Sequence, residues 1–104
     1  MAKTSEPKLG LAVMQVLATR ENGEAIIRTL IRYVPDYVNL TAQDHELSDK
    51  RPGEEMWEQR VRNLKSHDTA LGNVIAEGYV KRIGRGRYQL TKAGRRHLKN
   101  KGLV

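Results

Sequence analysis

The sequence predicts a mainly α-helical domain with a small β-hairpin. Three observations lead there: apolar residues at helical spacing through residues 8–77, strand-like alternation around a glycine-rich turn at 79–90, and positive charge gathered in the second half. With 104 residues, 38% of them apolar, no Phe and a single Trp, the chain supports one modest core and no large enclosed substrate cavity.

The elements follow in order. Residues 1–7 are polar and end in Pro7, which reads as a flexible N-terminus before a single domain over 8–101 and a short tail at 102–104. From Lys8, the residues Leu9, Leu11, Val13, Met14, Val16 and Leu17 recur at near-helical spacing until Arg20-Glu21-Asn22-Gly23 stops them. A second helix is expected from about Glu24, with Ile26, Ile27, Leu30, Ile31 and Val34 on one side, Arg28 and Arg32 on the other, and Pro35 at its end. Thr41-Ala42-Gln43-Asp44 suits a helical turn capped by the Thr41 hydroxyl, and Ser48 to Gly53 reads as a loop. Residues 54–77 form the longest periodic segment, with Trp57, Val61, Leu64, Leu71 and Ile75 on the core face. Asp68 falls in that apolar stripe, so it is expected either to pair with a cation such as Arg60 or to cap a new helical segment after a break near Ser66-His67. The other face carries Gln59, Arg62, Asn63, Ser66, Thr69, Ala70, Asn73 and Glu77, most of which can hydrogen-bond a base edge or touch a thymine methyl.

After Glu77-Gly78 the period changes. Tyr79 to Ile83 and Arg87 to Leu90 read as two strands joined by Gly84-Arg85-Gly86, an arginine-tipped hairpin. Thr91 then caps a last helix from Lys92 to about Lys101, with Ala93 and Leu98 inward. Trp57 and Tyr79 fall on the inward phase and read as core; Tyr88 either packs under the hairpin or lies beside a phosphate.

The formal charge of +7 is unevenly distributed. Residues 1–59 carry a net −3, whereas residues 60–104 hold twelve Lys and Arg against Asp68 and Glu77, a net +10. A one-sided block of this kind is the footprint of a polyanion-binding face, because each cation near a phosphate releases condensed counterions. Seven of the twelve are Arg, whose guanidinium fork suits phosphates and guanine edges.

Other chemistries find little support. There is no Cys for a disulfide, a thiolate nucleophile or a thiolate zinc site, which suits a reducing compartment, cytoplasm or nucleoid. The apolar runs are too short for a membrane span or an export signal. His45, His67 and His97 stand far apart and read as surface or boundary residues rather than metal ligands. Pro35-Asp36 has no following Glu-x-Lys, and Gly84-Arg85-Gly86 is too short for a phosphate-binding loop. No enzyme, cofactor or metal is expected.

Helix, helix, long helix, basic hairpin and closing helix is the order of a winged helix-turn-helix domain, in which the third helix enters the major groove and the hairpin is the wing. The stretch from Glu55 through Trp57, Arg60, Arg62 and Leu64 to His67, then Glu77-Gly78-Tyr79 and Tyr88-Gln89-Leu90-Thr91-Lys92-Ala93-Gly94-Arg95, resembles the N-terminal winged-helix domain of Mrr-type restriction endonucleases and similar modules attached to HNH nucleases. Gly23-Glu24-Ala25 and Ile31-Arg32-Tyr33-Val34 are similar to the start and body of that family's second helix, so the resemblance spans about residues 8–101. It implies binding of double-stranded DNA, in the family as the targeting half of an enzyme that cuts modified or foreign DNA; this chain departs by carrying no nuclease half. The expected contacts are Arg62, Lys65, Ser66, Thr69 and Asn73 on the third helix, Lys81, Arg82, Arg85 and Arg87 on the hairpin, and Arg95 and Arg96 on the last helix. A homodimer or a separate nuclease subunit are candidate partners. The alternative is a protein-interaction or dimerisation module using the Ser48–Gly53 loop or the first helix. RNA binding is disfavoured, because no pair of exposed aromatics is evident for stacking unpaired bases.

Overall fold

A computed structural model describes residues 3–49, 52–67 and 72–104. Four α-helices and a three-stranded antiparallel sheet surround one core: α1 (Glu6–Ala18), β1 (Glu24–Ile26), α2 (Ile27–Tyr33), α3 (Met56–Arg62), β2 (Val80–Gly84), β3 (Arg87–Leu90) and α4 (Lys92–Asn100). The sheet order is β1-β3-β2.

The central element is α1. Leu9, Ala12, Val13, Met14, Val16 and Leu17 are all buried, and Gly10 leaves room for the Val74 side chain, which an added Cβ would strike. The helix begins earlier than the sequence suggests. Ser5 caps it by accepting from the Lys8 N–H at 3.3 Å, and Pro7 sits in the first turn, where its fixed φ suits a helix and its missing N–H is no loss. Thr4 is buried against Asp44, and Glu6 and Pro7 form the first turn of α1.

Residues 24–26 also depart from expectation. They form a strand, not the start of the second helix, with Glu24, Ala25 and Ile26 paired to Gln89, Tyr88 and Arg87. A turn through Asn22 and Gly23, both at positive φ, reverses the chain after α1 and delivers the strand. The α2 helix then starts at Ile27 and gives way to a 3₁₀ turn at Val34–Asp36, where Pro35 stands.

The helix expected over 54–77 is short. Glu55 opens α3; Glu58 accepts from the Glu55 N–H at 2.9 Å, and Glu55 in turn accepts from the Trp57 indole at 2.9 Å and sits 2.7 Å from His45 Nδ1. Hydrogen bonding to His45, and next to Trp57, holds the Glu55 carboxyl below its ordinary range. The helix stops at Arg62, and a 3₁₀ turn follows at Lys65–His67. Gly72 has φ +85°, and Asn73 Oδ1 then accepts from the Ile75 and Ala76 N–H groups at 2.8 and 3.2 Å, starting a new turn. A local cap therefore wins over the helical periodicity. Asp68, expected to pair with a cation or to cap a new helical segment, and Leu71, expected on the core face, lie outside the described residues.

Trp57, Val61 and Leu64 are buried as expected, and Tyr79 is half-buried with its ring stacked on His97 at 4.3 Å. The α4 helix is capped by Thr91, which accepts from the Gly94 N–H at 3.0 Å, and it buries Leu98. Ala93 is exposed, against the expected phase. Gly94 takes the inward position, because an added Cβ there would run into the Tyr79 carbonyl oxygen. At the other end Gly102, at φ +71°, lets the Gly102 and Leu103 N–H groups reach the Lys99 and Leu98 carbonyls.

Candidate nucleic-acid interface

The hairpin is built on β3. Its two-residue turn, Arg85-Gly86, needs Gly86 at φ +66°, and the β2–β3 register slips between Arg82 and Gly84. Val80 opposite Leu90 and Ala25 opposite Tyr88 seal the inner face of the sheet against the core. Arg82, opposite Tyr88, continues that inner face past the end of the core and is exposed. Tyr88 packs under the hairpin at 2% exposure, which settles its two expected positions in favour of the core. Burial pushes its hydroxyl above the ordinary 10.0, against the opposing pull of the Arg82 charge, a hydrogen bond with the Lys65 backbone and the Lys65 charge. Tyr88 therefore brings the turn after α3 beside Arg82.

A second link ties α2 to the tip. The Ile27 N–H donates to the Gly86 carbonyl at 3.0 Å, so Arg28, exposed on the next residue, adjoins Arg85 and Arg87. Sequence reasoning put Arg28 on the outer side of a helix and gave it no part in binding. No local signal shows that residues 24–26 pair with 87–89, and that pairing is what carries Arg28 to the tip.

The expected contacts separate into groups. Lys81, Arg82, Arg85 and Arg87 are exposed on the hairpin, and among the described residues none of the four is held in an ion pair. Lys65 and Ser66 are exposed on the adjoining turn. On α3 itself the cations are engaged: Arg62 pairs with Glu54, and Arg60 binds the Thr4 carbonyl at 2.7 Å and Glu6 at 3.1 Å, with Asp44 3.7 Å away. Gln59 accepts from the Ser48 hydroxyl.

Asn73 is not on an open face. It is fully buried, donates to the Leu64 carbonyl at 3.2 Å and caps the turn at 75–76, so its amide is engaged inside the protein. Thr69 lies outside the described residues. Arg95 and Arg96 are exposed on α4, with the Arg95 guanidinium against Gly23, beside the Glu24–Gln89 pair at the base of the hairpin. Arg95 is thus removed from the tip by roughly the length of a four-residue strand, about 13 Å.

Among the described residues no three His, Asp or Glu side chains converge where they could hold a metal ion, and no helix is long and apolar enough to cross a membrane. Comparison with known protein families, curated proteins and solved structures finds no match for this chain.

Proposed function

We propose that this chain is a winged-helix protein that binds double-stranded DNA, as a binding module without nuclease chemistry of its own. The hairpin is the principal contact: Lys81, Arg82, Arg85 and Arg87 reach the phosphates, Arg28 adds to them from α2, and Lys65 and Ser66 extend the surface from the turn after α3. The observation that carries this reading is the contrast in pairing. The cations of α3 are neutralised by Glu54, Glu6 and Asp44, whereas those of the hairpin are exposed and hold no carboxylate among the described residues. Desolvating an already paired arginine to reach a phosphate costs its existing partner; an exposed unpaired one gains counterion release with no such loss. The likeness in motif to the targeting domain of Mrr-type restriction enzymes supports the same reading, and so does the order of helices and hairpin.

The test is fluorescence anisotropy with a random-sequence duplex, the matching single strand and an RNA hairpin, each at two salt concentrations. Duplex is expected to bind best. The Arg85→Ala/Arg87→Ala variant is expected to bind duplex at least tenfold more weakly and to flatten the plot of log affinity against log salt by about 2. Unchanged duplex affinity in that variant overturns the assignment of the hairpin.

A further inference from the structure

The outer face of the sheet carries a feature that phosphate binding does not use. At the base of the hairpin this face is polar, with Glu24, Gln89 and Lys81 side by side across the three strands. At the tip it is not. Ile26 stands opposite Arg87 on one side, and on the other the register slip sets Ile83 and Gly84 together against Arg87. A row Ile26–Arg87–Ile83 therefore crosses the sheet, with the two isoleucines 41% and 38% exposed and Arg85 beside them in the turn. In a chain without Phe, two large apolar side chains flank an unpaired arginine of the basic hairpin.

Resting on the duplex-binding reading, we propose that this row is a sequence-reading surface for the major groove. Ile26 and Ile83 contact thymine 5-methyl groups on either side of Arg87, which keeps its hold on the phosphates. Width decides between the grooves. Neighbouring strands lie about 4.8 Å apart, so β1 and β2 are separated by about 9.6 Å across β3. That fits the major groove, about 12 Å wide, and exceeds the minor groove at about 6 Å. The major groove also holds the one apolar group on a base edge, the thymine methyl. The bulge aims Ile83 outward beside Arg87.

The test compares two pools of random 20-base-pair duplexes, identical except that one carries uracil in place of every thymine. The wild-type chain is expected to bind the thymine pool three- to tenfold more tightly. The Ile26→Ala/Ile83→Ala variant is expected to bind both pools equally, with its salt dependence unchanged. Equal binding of both pools by the wild type overturns the proposal, and that comparison holds whether or not the double variant folds. Retention of the thymine preference by a folded double variant also overturns it. So does a fall in sedimentation mass on substitution, which would make the row a contact between copies of the chain. Failure of both pools to bind at low salt would instead remove the duplex-binding reading on which the proposal stands.

Discussion

Asp44 joins three distant parts of the chain. Its carboxylate accepts from the Thr4 N–H at 3.0 Å, from the Thr4 hydroxyl and from the Thr41 N–H at 2.8 Å, with the Arg60 guanidinium 3.7 Å away. Burial alone would push this carboxyl up; the hydrogen bonds from Thr4 and Thr41 together outweigh it and hold it below its ordinary value of 3.8. Removing the carboxylate leaves three donors and a guanidinium inside the protein with one acceptor fewer. Asp44→Ala is therefore expected to lower the unfolding free energy by about 2–4 kcal/mol in urea titrations. The sign of the pH dependence follows from the lowered folded-state value. The unfolded chain takes up the proton first, so this contribution is present above about pH 4 and is lost as the pH falls further, and stability curves of wild type and Asp44→Ala should converge there. The Thr41 cap was legible, since Asp44 also donates its N–H to the Thr41 hydroxyl at 3.2 Å. Its bonds to Thr4, forty residues away, were not, because nothing in local spacing marks a polar N-terminal residue as buried.

At the scale of elements, helical and strand periods identified α1, the hairpin and α4, and misjudged the segments whose partners are remote. Glu24-Ala25-Ile26 continues a helical apolar pattern into Ile27, and only β3 makes it a strand. The 54–77 periodicity was real as far as Leu64, after which Gly72 and the Asn73 cap redirect the chain. Gly94 shows how a single position fixes two elements. Its missing Cβ lets α4 lie against the Tyr79 carbonyl, which itself accepts from the Thr91 N–H at 3.0 Å. Gly94→Ala should push α4 away from the foot of the hairpin, disturbing that bond and the Leu98 packing behind it. A loss of about 2–3 kcal/mol in chemical unfolding is expected, although alanine is the better helix former by about 1 kcal/mol. A neutral or stabilising result would show that α4 shifts without cost.

For the molecule as a whole, the division between an acidic first half and a basic second half was plain in the sequence, and its consequence for the candidate site was only partly so. The charge run identified the hairpin arginines. It could not show that Arg60 and Arg62 answer to Glu6, Asp44 and Glu54 from the acidic half, because those pairs form only when the chain closes. Binding that draws on about four hairpin cations should weaken roughly a hundredfold between 50 and 200 mM salt, measurable by anisotropy; Arg62→Ala, which removes a cation already paired, should leave that slope nearly unchanged. The sheet order has a further consequence, for the timing of folding. The β2–β3 hairpin closes over two residues, whereas β1 reaches β3 only by bringing together positions about 60 residues apart. The hairpin should therefore form within microseconds and β1 dock late, with high φ-values at the turn and low ones at residues 24–26. A refolding chain would display its basic tip early, and would gain Ile26 and Arg28 beside it only when β1 docks.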